Sequence, residues 1–127
     1  MSLKYHFSFC LYFKKDANVE ELEKLFGIKA YKLTKLSEAK STNKRASIWY
    51  RTEDFTSVMI GECFDNFVEK IKDNFVELPQ VLQQFEGECE FSVVVDEMDE
   101  KPSISINENT IKTLAYFGAS YDVDFLC

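Results

Sequence analysis

The amino-acid sequence predicts an α+β fold, with a mixed and mainly antiparallel sheet of five to six strands and three to four helices packed mostly on one face. Several short segments alternate apolar and polar side chains, which is the period of a strand with one buried face. Others repeat apolar residues at helical spacing between residues that cap helices. Pairs of strands joined by short turns indicate antiparallel pairing, whereas strand–helix–strand units indicate crossovers within one sheet. At 127 residues the chain has the size of one domain, 1–127.

The first half of the chain is predicted to hold three strands, at residues 4–13, 28–36 and 46–52, and one helix at residues 19–26. Apolar side chains occupy every second position from Tyr5 to Phe13, which predicts one fully apolar strand face. Asn18, followed three residues later by Glu21, is typical of a helix N-terminus, and Gly27 predicts the end of that helix. The polar segment 37–44 is predicted to be an exposed loop.

The second half is predicted to hold helical segments at residues 57–75, 78–85 and 107–117. Its predicted strands are at residues 88–97, 103–106 and 119–126. Gly61 interrupts the first of these helical patterns. Because glycine costs a helix about 1 kcal/mol relative to alanine, the helix is expected to start only after that residue. Pro79 suits the first turn of the next helix, and Gly87 is expected to end it.

Residues 107–126 predict a capped helix joined by one glycine to a strand. Asn107 is a good N-cap, and Gly118 lies where a left-handed residue ends a helix. The helix is expected to bury Ile111, Leu114, Ala115 and Phe117. In the strand, Ala119, Tyr121, Val123 and Phe125 alternate with Ser120, Asp122 and Asp124.

The charge of the chain is acidic and uneven. A net charge of −7 argues against nucleic acid as a partner, because phosphate neutralisation dominates that kind of binding. Residues 29–51 hold seven cations and one carboxylate, whereas residues 86–124 hold ten carboxylates and two lysines. The molecule is therefore expected to be an electric dipole.

The sequence lacks the common signals for membranes, metals and cofactors. No segment has the roughly eighteen apolar residues of a membrane helix and no secretion signal is evident, so a cytoplasmic protein with no membrane contact is expected. The four cysteines are far apart and form no Cys-x-x-Cys motif, which favours reduced thiols over a zinc or redox site. No phosphate-binding or dinucleotide-binding glycine motif occurs, so neither a cofactor nor a metal is predicted.

Four segments carry a family resemblance: Tyr5-His6-Phe7-Ser8-Phe9, Leu25-Phe26-Gly27-Ile28, Ser47-Ile48-Trp49-Tyr50, and the closing stretch from Ile104-Ser105-Ile106 to Leu114–Phe125. In these segments, and over nearly its full length, the chain resembles the bacterial family catalogued as domain of unknown function 4279. The turn before the tryptophan strand departs from the family pattern, because residues 40–44 contain no glycine. The resemblance implies a small, stand-alone α+β domain and brings no specific activity with it.

Ser120, Asp122 and Asp124 form the first candidate binding site. Alternate strand residues point the same way, and the two aspartates have Cα atoms roughly 6 to 7 Å apart, so they could hold a divalent cation or support acid–base chemistry. The same pattern is also typical of the solvated face of a strand.

Arg45, Trp49 and Arg51 form the second candidate site. Guanidinium groups beside an indole could bind an anion or stack on a ring, although a tryptophan at this place is also consistent with a core position. His6, the single histidine, is expected to be a surface residue on the polar side of the first strand. No motif for nucleophilic catalysis accompanies it.

These features leave several classes of function open. The leading hypothesis is a non-enzymatic protein that binds another protein, and an immunity protein that neutralises a basic toxin is one form of it, since complementary charge favours such a pair. The alternative is a small-ligand or metal-binding domain, with an enzyme included, in which the Asp122 and Asp124 face converges with the Arg45, Trp49 and Arg51 group. A homodimer joined along a sheet edge or face is a third hypothesis.

Overall fold

The computed structural model describes residues 2–40 and 44–127. Its elements are β1 (Leu3–Phe13), α1 (Val19–Phe26), β2 (Lys32–Thr34), a 3-10 turn (Leu36–Glu38), β3 (Ala46–Arg51), α2 (Ile60–Asn74), α3 (Leu78–Gln84), β4 (Gly87–Met98), α4 (Glu108–Phe117) and β5 (Ser120–Phe125). The strands form one five-stranded sheet in the order β2-β3-β1-β4-β5. Neighbouring strands are antiparallel except β4 and β5, which are parallel and joined through α4. The predicted α+β class and mixed sheet are confirmed.

The central strand β1 supplies the middle of the hydrophobic core. Its alternate side chains are fully buried, as its sequence pattern predicts: Tyr5, Phe7, Phe9, Leu11 and Phe13. Strand β4 pairs with β1 from Leu3 to Phe13, and β3 pairs with it on the other side from Ser8 to Phe13, so backbone hydrogen bonds hold both edges of its second half. The strand is therefore held both by its hydrogen bonds and by its buried side chains.

Aromatic rings join this strand to the helices. The Phe7 ring lies 5.3 Å from that of Phe64 in α2, measured between centroids. The Phe75 ring, just after α2, lies 5.3 Å from Phe9 and 4.4 Å from Phe26 of α1. Such pairs contribute roughly 0.5–1.5 kcal/mol each beyond the apolar area that they bury. Buried apolar side chains of all four α-helices belong to this same core cluster.

The opposite face of the sheet, which we call the open face, contributes no side chain to the hydrophobic core among the described residues. On β1 it carries the other alternation set, which is Lys4, His6, Ser8, Cys10 and Tyr12. The helices therefore pack on one face of the sheet, as predicted. In the described ranges no helix is both long enough and apolar enough to span a bilayer.

Two predicted strands differ from the structure. Residues 28–36 form a strand only at Lys32–Thr34, because the Ala30 N–H is bonded by the carboxylate of Glu23 at 2.7 Å and a 3-10 turn starts at Leu36. Residues 103–106 form no strand, since the Ser105 backbone packs against α2 instead of joining the sheet. The predicted loop at 37–44 lies partly outside the described residues.

The predicted inward face of α4 is also partly wrong. Ile111 is 54% exposed, and the helix buries Thr110 and Thr113 beside Leu114 and Phe117. The cause is a polar contact, because the Asp65 carboxylate in α2 accepts a 2.6 Å hydrogen bond from the Thr110 hydroxyl. The predicted caps of this helix are confirmed, with Asn107 at its start and a left-handed Gly118 at its end.

Two glycines have other roles than predicted. Gly87 does not end α3 but begins β4, and the left-handed position before it is occupied by Glu86. Helix α2 begins at Ile60, so Gly61 lies inside it rather than before it. A Cβ atom at Gly61 would overlap the carbonyl oxygen of Ser105, which explains a glycine at this helical position.

We expect Gly61→Ala to lower the free energy of unfolding by about 2 kcal/mol, because the added methyl group forces the Ser105 backbone away from α2. Urea denaturation measures this difference. Gly118→Ala is the matched control, where a Cβ meets no atom within 4 Å and the cost of about 1 kcal/mol comes only from its left-handed backbone. A more stable Gly61→Ala variant, as in an ordinary exposed helix, would contradict this packing argument.

Candidate functional site

The open face holds the residues of both predicted sites. Strand register places Trp49, Cys10, Glu90 and Ser120 in one row across β3, β1, β4 and β5. The next row consists of Arg51, Ser8, Ser92 and Asp122, and Asp124 lies one row further, beside Val94. Arg45, just before β3, reaches the same face by lying over the Tyr12 ring.

The two predicted groups share this face but do not meet. Strands β1 and β4 lie between β3 and β5, which separates the groups by about 14 Å at the usual strand spacing. Trp49 lines a cavity of about 190 Å³ that does not include Ser120, Asp122 or Asp124 among its lining residues. A single small ligand is therefore not enclosed by both groups.

The β3 half of the open face is aromatic and cationic. The Trp49 ring packs edge-on against Tyr31 at 4.6 Å, and its indole N–H donates a 3.1 Å hydrogen bond to the Ser8 hydroxyl. The Arg51 guanidinium lies 5.6 Å from the Tyr31 ring, and that of Arg45 lies 4.6 Å from the Tyr12 ring. Trp49 is half-buried and lies outside the hydrophobic core, so the alternative of a core tryptophan is wrong.

The β4 and β5 half of the open face is acidic. Asp122 and Asp124 are exposed and form no ion pair with any described residue. Glu90 is half-buried and accepts a hydrogen bond from the Ser92 hydroxyl at 3.2 Å. Glu88 lies 3.4 Å from Arg45, where the acidic and cationic halves meet. The open face thus carries the charge separation that the sequence predicts.

His6 is buried, with 5% of its surface exposed, so the prediction of a surface histidine is wrong. A β-bulge explains its surroundings, because Tyr5 pairs with Val95 while Lys4 pairs with Glu97, which leaves Asp96 as the extra residue. The Asp96 carboxylate accepts a 2.9 Å hydrogen bond from His6 Nδ1, since an ionised carboxylate has no proton to donate. No sequence pattern marks this bulge, so the pair could not be predicted.

His6, Asp54 and Asp96 form a compact cluster whose possible ligand atoms lie within 4.8 Å of one another. One imidazole and two carboxylates are suitable ligands for a divalent cation. However, the Arg51 guanidinium lies 3.4 Å from Asp54 and already supplies a positive charge there. The arrangement therefore suits a polar network, with the His6–Asp96 hydrogen bond and the Arg51–Asp54 ion pair, better than a metal centre.

Two groups of the open face that could act as nucleophiles, the Cys10 thiol and the Tyr12 hydroxyl, have raised pKa values. Burial raises the pKa of the Cys10 thiol, and burial with the neighbouring Cys10 and Glu90 groups raises the pKa of Tyr12 to about 12. Both groups are thus protonated at neutral pH. Asp96 and His6 could form two members of a catalytic triad, but in the part of the chain that the structure describes the Ser8 hydroxyl does not donate to His6, and its oxygen accepts from the Trp49 N–H.

We expect Asp96→Ala to lower the free energy of unfolding by about 1–3 kcal/mol, because it leaves a buried imidazole N–H without its acceptor. Asp124→Ala makes the same change on the same face at an exposed position, and should alter stability by less than about 0.5 kcal/mol. Urea denaturation of the two variants measures the difference. Equal losses would show that the His6–Asp96 contact is not a stabilising one.

Among known proteins, the chain has a match at the level of its family. A model of the family described as Domain of unknown function (DUF4279) matches residues 3–127, which is essentially the whole chain. No curated protein and no solved structure matches the chain. The match covers β1 and β5 and all the elements between them. The chain therefore belongs to the domain of unknown function 4279 family.

Proposed function

We propose that this protein is a non-enzymatic binding module whose open face docks against the basic surface of another protein. The observation that carries the proposal is the composition of this face, with aromatic and guanidinium side chains on one half and the exposed carboxylates of Asp122 and Asp124 on the other. The proposed docking takes place in the cytoplasm, because the four free cysteines suit a reducing compartment.

The aromatic half supplies the anchors of such an interface. Tryptophan, tyrosine and arginine are the residues most enriched at the energetic centres of protein interfaces. Tyr31 is 59% exposed and contacts both the Trp49 ring and the Arg51 guanidinium, so little side-chain entropy is lost when a partner covers it. This preorganisation favours a protein contact.

The acidic half supplies charge complementarity. Asp122 and Asp124 form no ion pair with any described residue, in a protein of net charge −7. A basic partner is attracted to this half and repelled by the Arg45 and Arg51 side, so the field both accelerates docking and orients the partner. A toxin-neutralising immunity protein is the narrower form of the proposal.

The size of the open face is adequate. Strand spacing and rise give it an area on the order of 600–800 Å². A standard interface buries roughly 800 Å² on each partner. The small-ligand alternative that joins both predicted groups is less favoured, because β1 and β4 separate them.

The test starts with affinity purification of the tagged protein from its source cell at low salt, followed by dissociation constants measured with the purified partner. We expect Tyr31→Ala to weaken binding about fivefold or more, as loss of an interface anchor does. Asp122→Lys is expected to weaken binding about tenfold, with a smaller effect in high salt.

Two variants on the helical side are matched controls: Tyr116→Ala, at an equally exposed tyrosine of α4, and Glu69→Lys, an equal charge reversal on α2. Each should change the dissociation constant less than twofold, which is about 0.4 kcal/mol of binding free energy, because substitutions at such surface positions are usually tolerated. If the two control variants weaken binding as much as the two open-face variants do, docking at the open face is refuted. Light scattering that shows a dimer disrupted by Tyr31→Ala would replace the proposal with self-association.

A further inference from the structure

We propose a second binding site, which shares only Arg51 with the residues named on the open face and takes a small amphiphilic anion with an aromatic or aliphatic body and a carboxylate or sulfonate group. The site is a cavity of about 450 Å³ between the end of β3, the segment after it, and α2. This volume falls within the range typical of small-molecule sites. We call it the β3–α2 pocket.

The shortness of β2 creates this pocket. Strand β2 pairs with β3 only as far as Trp49, so Tyr50 and the following residues have no strand beside them on that edge. Residues Ile28 and Lys29, which follow α1, form the other wall. The predicted strand at 28–36 would have covered this edge, and its absence leaves the pocket open.

The lining of the β3–α2 pocket includes six apolar or aromatic residues beside its polar ones. They are Ile28, Tyr50, Phe55, Cys63, Phe67 and Ile71. Four of these side chains, at positions 28, 55, 63 and 67, are only partly buried although they pack against the hydrophobic core. An apolar ligand body would remove this surface from water, with a gain of about 25 cal/mol for each Å² covered.

Tyr50, one of the lining residues, carries the buried polar group on which the choice of ligand depends. Tyr50 is 3% exposed, and its hydroxyl has no hydrogen-bond partner among the described residues. Burial, with a smaller effect from the Glu23 carboxylate, raises the pKa of this hydroxyl above its ordinary value, so it is a neutral donor. By contrast, the buried Tyr5 hydroxyl donates to the Ser57 carbonyl at 2.8 Å. An acceptor oxygen on a ligand would satisfy Tyr50 in the same way.

The charges around the β3–α2 pocket favour an anion. Its lining includes Lys29, Arg51 and Lys70 against one carboxylate, Glu53, although the whole protein has a net charge of −7. Arg51 is engaged with Asp54, but neither lysine forms an ion pair with a described residue. The two lysines are therefore available to the same carboxylate or sulfonate that accepts the hydrogen bond from the Tyr50 hydroxyl.

The test uses three probes that share one apolar body: 2-naphthylacetate, 2-naphthylethanol and 2-naphthylethylammonium. Calorimetric titration of the full chain should show the carboxylate binding about threefold to tenfold more tightly than the alcohol, as a partly exposed charge contact predicts. The ammonium should bind most weakly. No saturable binding of 2-naphthylacetate at millimolar concentration, or equal affinities for all three probes, would overturn the proposal.

Two variants identify the groups responsible. Lys70→Gln should remove most of the preference for the carboxylate, whereas Lys72→Gln, on the same helix but outside this pocket, should preserve it. Tyr50→Phe should weaken 2-naphthylacetate about threefold to tenfold, the effect of one hydrogen bond, yet leave the free protein at least as stable.

The stability of the Tyr50→Phe variant separates a ligand-binding role from a structural one. If the hydroxyl serves the fold through an internal partner, its removal lowers the melting temperature, and that result contradicts the proposal. Because Tyr50 and Lys70 lie away from the open face, loss of probe binding in these variants leaves the protein-docking hypothesis untouched. The two proposals can therefore fail separately.

Discussion

The structure depends on the central position of β1, which pairs with β3 on one side and with β4 on the other. Because its side chains alternate, one strand sequence determines two surfaces. The aromatic set, including Phe7 and Phe9, binds the helices through ring contacts, and the polar set, including His6 and Ser8, forms the middle of the open face. A shift of one residue in register would exchange these surfaces and bury the polar set in the core.

Local irregularities produce the features of functional interest. The bulge at Asp96 places a carboxylate against buried His6, which joins β1, β4 and the segment with Asp54 on the open face. The short β2 leaves the end of β3 uncovered and so opens the β3–α2 pocket. Both departures from regular pairing lie beside Arg51, the residue that adjoins the His6 cluster and also lines the pocket.

The two proposed binding surfaces make different demands on a partner. The open face is broad and separates its charges across four strands, which suits a protein with a basic patch. The β3–α2 pocket is small, with apolar residues and lysines in its lining, which suits an amphiphilic anion. Since β3 contributes Trp49 to the first surface and Tyr50 to the second, one strand presents neighbouring residues to opposite sides of the sheet.

The sequence by itself determined the elements whose signals are local. The alternation in β1, β4 and β5, the caps of α1 and α4, and the polar face of Ser120, Asp122 and Asp124 follow from spacing and capping chemistry. Tertiary structure decided what depends on distant partners. The Ser105 backbone leaves no room for a side chain at Gly61, and the hydrogen bond from Thr110 to Asp65 accounts for the buried face of α4. The bulge in β4 brings Asp96 to His6. Tertiary structure also decided that β1 and β4 separate the two predicted sites, because strand order is a property of pairing between segments far apart in the chain and leaves no pattern within any one of them.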